Sequence, residues 1–154
     1  MYTRAYDKEQ HLLVTLFSGR SNSVDDFERA ARDVIAADAD AAGAPAGVVH
    51  VAEVESGNPV PDAAKRKVLQ DAVIQSTRAP KYVVCLVTAS TLQRAVLAAL
   101  RWFTPVDVTH PSRGFARFED AVAWAETHRP GIAARVLELR RAAREEAQAN
   151  RPRS

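Results

Sequence analysis

The sequence predicts an α/β fold: one mixed β-sheet with an opening hairpin and flanking helices, plus an extra C-terminal helix. Three observations lead there. Short runs rich in β-branched residues alternate with segments whose apolar residues return every three to four positions, as strands separated by helices do. The first two β-rich runs are joined only by polar Asp7-Lys8-Glu9-Gln10, a link too short for a crossover. The chain has 154 residues, 47% hydrophobic and 26% charged, which is one globular domain with little to spare.

Each element follows from its residues. Tyr2 to Tyr6 alternates weakly and reads as an edge strand. His11 to Phe17 is richer in β-formers, and the two make an antiparallel hairpin. Ser18 to Asn22 is a loop. Ser23 is a helix N-cap, with Asp25 and Asp26 near the positive end of the helix. Phe27, Ala31, Val34 and Ile35 give that helix one apolar face, and Gly43 and Pro45 stop it. Gly47 to Val54, a nearly continuous apolar run containing His50, predicts a central parallel strand buried on both faces.

Glu55 to Val60 is a turn-rich loop. Pro61 suits a first helical turn and Asp62 complements it. Ala64, Val68 and Ala72 form a ridge, with Leu69 and Val73 beside it. Lys81 to Thr88 is the strongest strand. Ser90-x-x-Gln93 predicts a capping box, and Leu92, Val96, Leu100 and Phe103 share one helical face. Residues 106–113 read as a loop or a poor strand, Gly114 to Phe118 as a short strand, and Glu119 to His128 as a helix with Ala121, Trp124 and Ala125 inward. After Pro130-Gly131, an amphipathic helix runs from Ile132 to about Gln148. Its narrow stripe of Ile132, Val136, Leu139 and Ala143 is flanked by arginines. The expected organisation is a domain over 1–128 and a C-terminal helix with a polar tail over 129–154.

Leu12-Leu13-Val14-Thr15-Leu16-Phe17-Ser18-Gly19 followed by Ser23-Val24-Asp25-Asp26-Phe27, and the later Phe115-Ala116-Arg117-Phe118-Glu119-Asp120-Ala121-Val122-Ala123-Trp124, resemble the SpoIIAA-like group of bacterial domains, related to the STAS (anti-sigma-factor antagonist) fold. The resemblance covers roughly residues 2–128. It implies a SpoIIAA/STAS-like mixed sheet and a small regulatory or scaffolding module that acts through protein–protein contacts and is not an enzyme. In STAS antagonists a serine in an Asp-Ser-Ser-Gly loop after the third strand is phosphorylated by a partner kinase. Glu55-Ser56-Gly57-Asn58 holds that place here without the motif, so the resemblance points to Ser56 as the phosphorylation candidate, against the reading of a turn serine in a Gly/Pro loop. Some domains of this architecture resemble lipid carriers, which implies the alternative: a carrier or sensor of a small hydrophobic ligand held between sheet and helices.

The residues themselves propose little chemistry. The four histidines have no metal-ligand spacing, and no nucleophile elbow, Walker sequence or dinucleotide fingerprint occurs, so no cofactor is expected. Glu53 and Glu55 follow a central strand, where open α/β sheets bind ligands; with Asn58 they form the best polar cluster. The lone Cys85, mid-strand, excludes an internal disulfide and reads as a core residue. No apolar run is long enough to span a membrane and no signal peptide is visible, so a cytoplasmic location is expected.

The net charge of +2 hides an uneven distribution: residues 1–60 carry −5 and residues 61–154 carry +7. Lys65-Arg66-Lys67 and the arginine-rich last helix lack the stacking aromatics of nucleic-acid modules, so a protein partner is expected and nucleic acid is not. The candidate contact residues are Glu55, Ser56 and Asn58 in the loop, Leu97 and Trp102 on the third helix, and Val136 and Leu139 on the last. The alternative expectation for Trp102 is cover for the following loop, and the last helix is expected to pack on its own sheet, on a partner, or on a second copy as a homodimer.

Overall fold

The computed structural model describes residues 1–103 and 110–151, without the side chains at 97 and 99–103. Five strands, β1 (Tyr2–Asp7), β2 (Leu12–Phe17), β3 (Val48–Val54), β4 (Tyr82–Thr88) and β5 (Ser112–Phe115), lie side by side in chain order. β1 and β2 are antiparallel and every later pair is parallel. The helices are α1 (Val24–Asp40), α2 (Ala63–Gln75), α3 (Thr91–Phe103), α4 (Phe118–His128) and α5 (Ala133–Ala149). The mixed α/β sheet with an opening hairpin and flanking helices is therefore the fold.

Local chemistry sets the turns. Asp7 closes the hairpin: its Oδ1 accepts the N–H groups of Glu9 (3.0 Å) and Gln10 (2.9 Å), and these bonds, with that from Arg135, hold its carboxyl below the usual range. Ser23 caps α1 in a full capping box with Asp26. Asp26 also accepts the Tyr2 N–H (3.1 Å), which points away from β2 at the outer edge of the sheet. Buried Asp38 near the end of α1 accepts the N–H groups of Arg78 and Ala79, both at 2.9 Å, and so shapes the turn into β4. Gly47 enters β3 at φ +64, pressed against the Lys81 carbonyl, which accepts the Val48 N–H at 2.8 Å.

The two faces of the sheet are covered differently. On one, α4 and α5 bury Leu12, Val14, Val49, Val51, Val83, Cys85 and Val87 almost completely. Burial pushes the Cys85 thiol up to about 12, as its expected core position requires. On the other face α1 seals the side near β2, but α2 packs chiefly against α1. Ala52, Val54, Val84 and Leu86 are consequently only half-buried there, where β3 was expected to be buried on both faces. The α2 ridge is also looser than expected: only Ala72 is buried, and Val73 and Ile74 are exposed.

Several expectations need correction. Asp62 is the N-cap of α2, so Pro61 precedes the helix. The short strand is Ser112–Phe115, and Phe118 opens α4 as a core residue. Leu92, which begins the expected apolar face of α3, is exposed. Val136 and Leu139 are not a contact surface: they are 1% and 5% exposed, packed with Ile132 on this chain's own sheet. This also removes the basis for a homodimer through that stripe. Polar contacts fix α5 to β1 at both ends. Arg135 Nε meets Asp7 Oδ2 at 2.6 Å, and the Thr3 hydroxyl donates to the Ala143 carbonyl at 2.9 Å. Eight residues of helix rise about 12 Å and four of strand about 13 Å, so the two spans match. α5 is thus a layer of the core.

Candidate functional site

All parallel strands end at one edge of the sheet, and the loops 18–23, 55–62 and 89–90 gather there. Asn58 organises them. Its side-chain N–H groups reach the carbonyls of Phe17 (3.2 Å) and Gly19 (2.6 Å), and its side-chain oxygen accepts from Asn22. From α3, Gln93 donates to the carbonyls of Asn58 (3.0 Å) and Pro59 (3.2 Å) and accepts from the Thr88 hydroxyl. The expected capping box is therefore half made. Ser90 accepts the Gln93 N–H at 3.2 Å, but the Gln93 side chain turns to the neighbouring loop.

Beside these loops lies an open cleft of about 450 Å³, lined by Glu53, Glu55, Ser56, Thr88, Arg117, Phe118, Glu119, Arg140 and Arg144 among others. Buried Glu53 forms its floor. Arg140 grips it through Nε (2.9 Å) and Nη2 (2.5 Å), and Arg144 through Nη2 at 2.8 Å. The Arg140 guanidinium also stacks 4.0 Å from the Phe118 ring centroid. Burial alone would raise the Glu53 carboxyl, but the hydrogen bonds from both arginines outweigh it and hold the group below its usual range. A carboxylate locked this way is a poor proton acceptor and a good clamp between α5 and the sheet.

The candidate residues divide clearly. Glu55 is half-buried and accepts the Gly19 N–H at 3.1 Å. Ser56 is exposed at the loop tip. It lies well before the mouth of α2, where Asp62 already accepts the Lys65 N–H, so the helix terminus does not offer it a phosphate cradle. Asn58 is half-buried, and its side chain braces the neighbouring loops. The side chains of Leu97 and Trp102 lie outside the described residues. Glu53 and His50 stand three positions apart on one strand and face opposite sides of the sheet, so no acid–base pair forms between them. Among the described residues no group of three or more His, Cys, Asp and Glu could hold a metal ion, and no helix is long and apolar enough to cross a membrane.

His50 is a buried core histidine whose Nε2 lies 2.9 Å from the Thr15 hydroxyl. Burial pushes its pKa down from 6.5 to about 4. The unfolded chain therefore binds a proton in that window that the folded chain refuses, and stability falls as pH drops from 6.5 towards 4. The full difference is roughly 3 kcal/mol, with about 2 kcal/mol lost by pH 5. Urea midpoints at pH 7 and pH 5 test this: His50→Leu should abolish most of the difference, and an unchanged difference would assign it elsewhere.

Sequence reading missed Arg140 and Arg144 as partners of Glu53, and Gln93 as a link between loops. Only the excess of arginine on the last helix hinted at the first, and nothing beyond the Ser90-x-x-Gln93 pattern at the second. No family model, no curated protein and no solved structure matches this chain.

Proposed function

We propose that the chain is a non-enzymatic bacterial regulatory or scaffolding module of the SpoIIAA/STAS-like kind its sequence resembles, acting in the cytoplasm through protein–protein contact. The contact edge is the 55–62 loop. One observation carries this reading: Asn58 and Gln93 stiffen the loop from within, while Ser56, Gly57 and Pro59 remain exposed at its tip. A preformed exposed loop loses little entropy when a partner docks. The test is retention of partner proteins from host extract by the wild-type chain and by Ser56→Arg. A specific partner should be retained at least tenfold less by the variant at unchanged thermal stability. Equal retention would end the assignment to this loop.

A second reading, a carrier or sensor of a small hydrophobic ligand, is favoured by the half-buried Ala52, Val84 and Leu86 on the sheet face opposite α4 and α5. Native mass spectrometry of the freshly purified chain decides it. A carrier shows a bound small molecule that denaturation releases; a bare polypeptide mass speaks for the contact module.

A further inference from the structure

We infer that Gln93 couples the 55–62 loop to the first turn of α3, so that displacing either segment loosens the other. As regulation of the contact edge, this coupling rests on the reading above; as a mechanical link, it is measurable in the free protein.

The geometry is specific. Gln93 is buried at 7% exposure and reaches a loop more than thirty residues earlier in the chain. Its side-chain NH2 group serves that loop through the Asn58 and Pro59 carbonyls, and its oxygen takes the Thr88 hydroxyl at the end of β4. A helix-terminal side chain that merely capped its own helix would have turned back to the Ser90 N–H, which instead donates to Thr88 Oγ1 at 3.2 Å. If the loop swings out, the buried Gln93 amide loses its acceptors, and a buried donor without a partner is costly. The helix turn must then shift to rehydrate it. Asn58 extends the chain of bonds to the carbonyls of Phe17 and Gly19. A partner pulling on the loop therefore acts on the first turn of α3.

The experiment is residue-resolved amide hydrogen exchange on the full chain, with the amides of β3 as an internal reference. Asn58→Ser removes the loop's side-chain anchors but keeps the backbone carbonyl that Gln93 uses. It should speed exchange about tenfold within 55–62 and also at Gln93, Arg94 and Ala95. Reciprocally, Gln93→Met should speed exchange at the Glu55 and Asn58 amides, which donate to the Phe17 and Glu55 carbonyls. Acceleration confined to the mutated segment in either variant overturns the coupling. Should Asn58→Ser unfold the domain, Gln93→Met alone decides by the same criterion. Partner retention by Ser56→Arg is read separately, so a loop that binds without moving α3 is told apart from a loop that does not bind.

Discussion

Glu53→Gln is expected to lower stability by about 3 kcal/mol, near the lower end of the range for removing one partner of a buried ion pair. The substitution is nearly isosteric, so no cavity forms, and the loss reports charge. Wild-type Glu53 is 6% exposed and receives hydrogen bonds from two guanidinium groups. Glutamine leaves both cations facing a neutral amide. The side chain of Arg144 is 44% exposed and rehydrates readily, whereas that of Arg140 is 22% exposed and stacked on Phe118, so most of the cost falls on Arg140. Guanidinium denaturation measures the effect, with an unchanged m-value expected. Glu53→Met combined with Arg140→Met should recover most of the loss, because replacing both charges leaves none of that pair stranded. A loss below about 1 kcal/mol for Glu53→Gln would show the cluster to be a solvated surface pair. The pH dependence has a definite sign. Glu53 is a depressed acid, so its contribution is complete above its ordinary value of 4.5 and is lost as pH falls through the lowered one. That window lies below most of the His50 window, and the two can be measured apart.

Gly47→Ala is expected to cost about 3–5 kcal/mol and lower the melting temperature by roughly 10 °C. Two penalties combine. At φ +64 any L side chain is strained, by about 1–2 kcal/mol. The added Cβ would also stand 1.9 Å from the Lys81 carbonyl oxygen, which cannot retreat without surrendering the Val48 N–H that begins the β3–β4 pairing. Gly57→Ala is the control: its φ is +90, but nothing lies within 4 Å of the added carbon. It should show the backbone strain alone. Equal melting temperatures for the two variants would refute the steric half of the account.

How much was legible in the sequence depends on the range of the interaction. The hairpin, the Ser23 cap and the order of strands and helices arise from neighbouring residues, and all appear as expected. Interactions across the fold were not legible. The stripe Ile132, Val136, Leu139 and Ala143 showed that the last helix must bury one side, but not against what. The answer lies in β1, where alternation turns Thr3, Ala5 and Asp7 towards α5, and nothing in the helix encodes that partner. Glu53 stood out as a carboxylate at a strand end. Its clamp comes from arginines nearly ninety residues later, which periodicity cannot pair with it. Asn58 read as part of a polar cluster and a contact residue; its bracing role was hidden because its acceptors, Phe17 and Gly19, are main-chain carbonyls of another segment, and carbonyls leave no trace in residue type. α2 misled for a physical reason. Its Ala/Val ridge suits a sheet, yet it leans on α1, whose Phe27 and Ala30 join Val68 and Leu69 in one cluster.

The placement of α4 and α5 bears on how the chain is made. All five strands are complete by Phe115, but the face that buries Leu12, Val14, Val49, Val51 and Val83 has no cover until both later helices have been synthesised. From Leu12 to Leu139 a ribosome adding about 5–20 residues per second needs roughly 6–25 s. Until then the apolar side chains of β2, β3 and β4 on that face lack their cover, and final docking must wait for the Thr3–Ala143 bond across 140 residues. Chaperone demand during translation should therefore track the synthesis of α5 more closely than that of any strand.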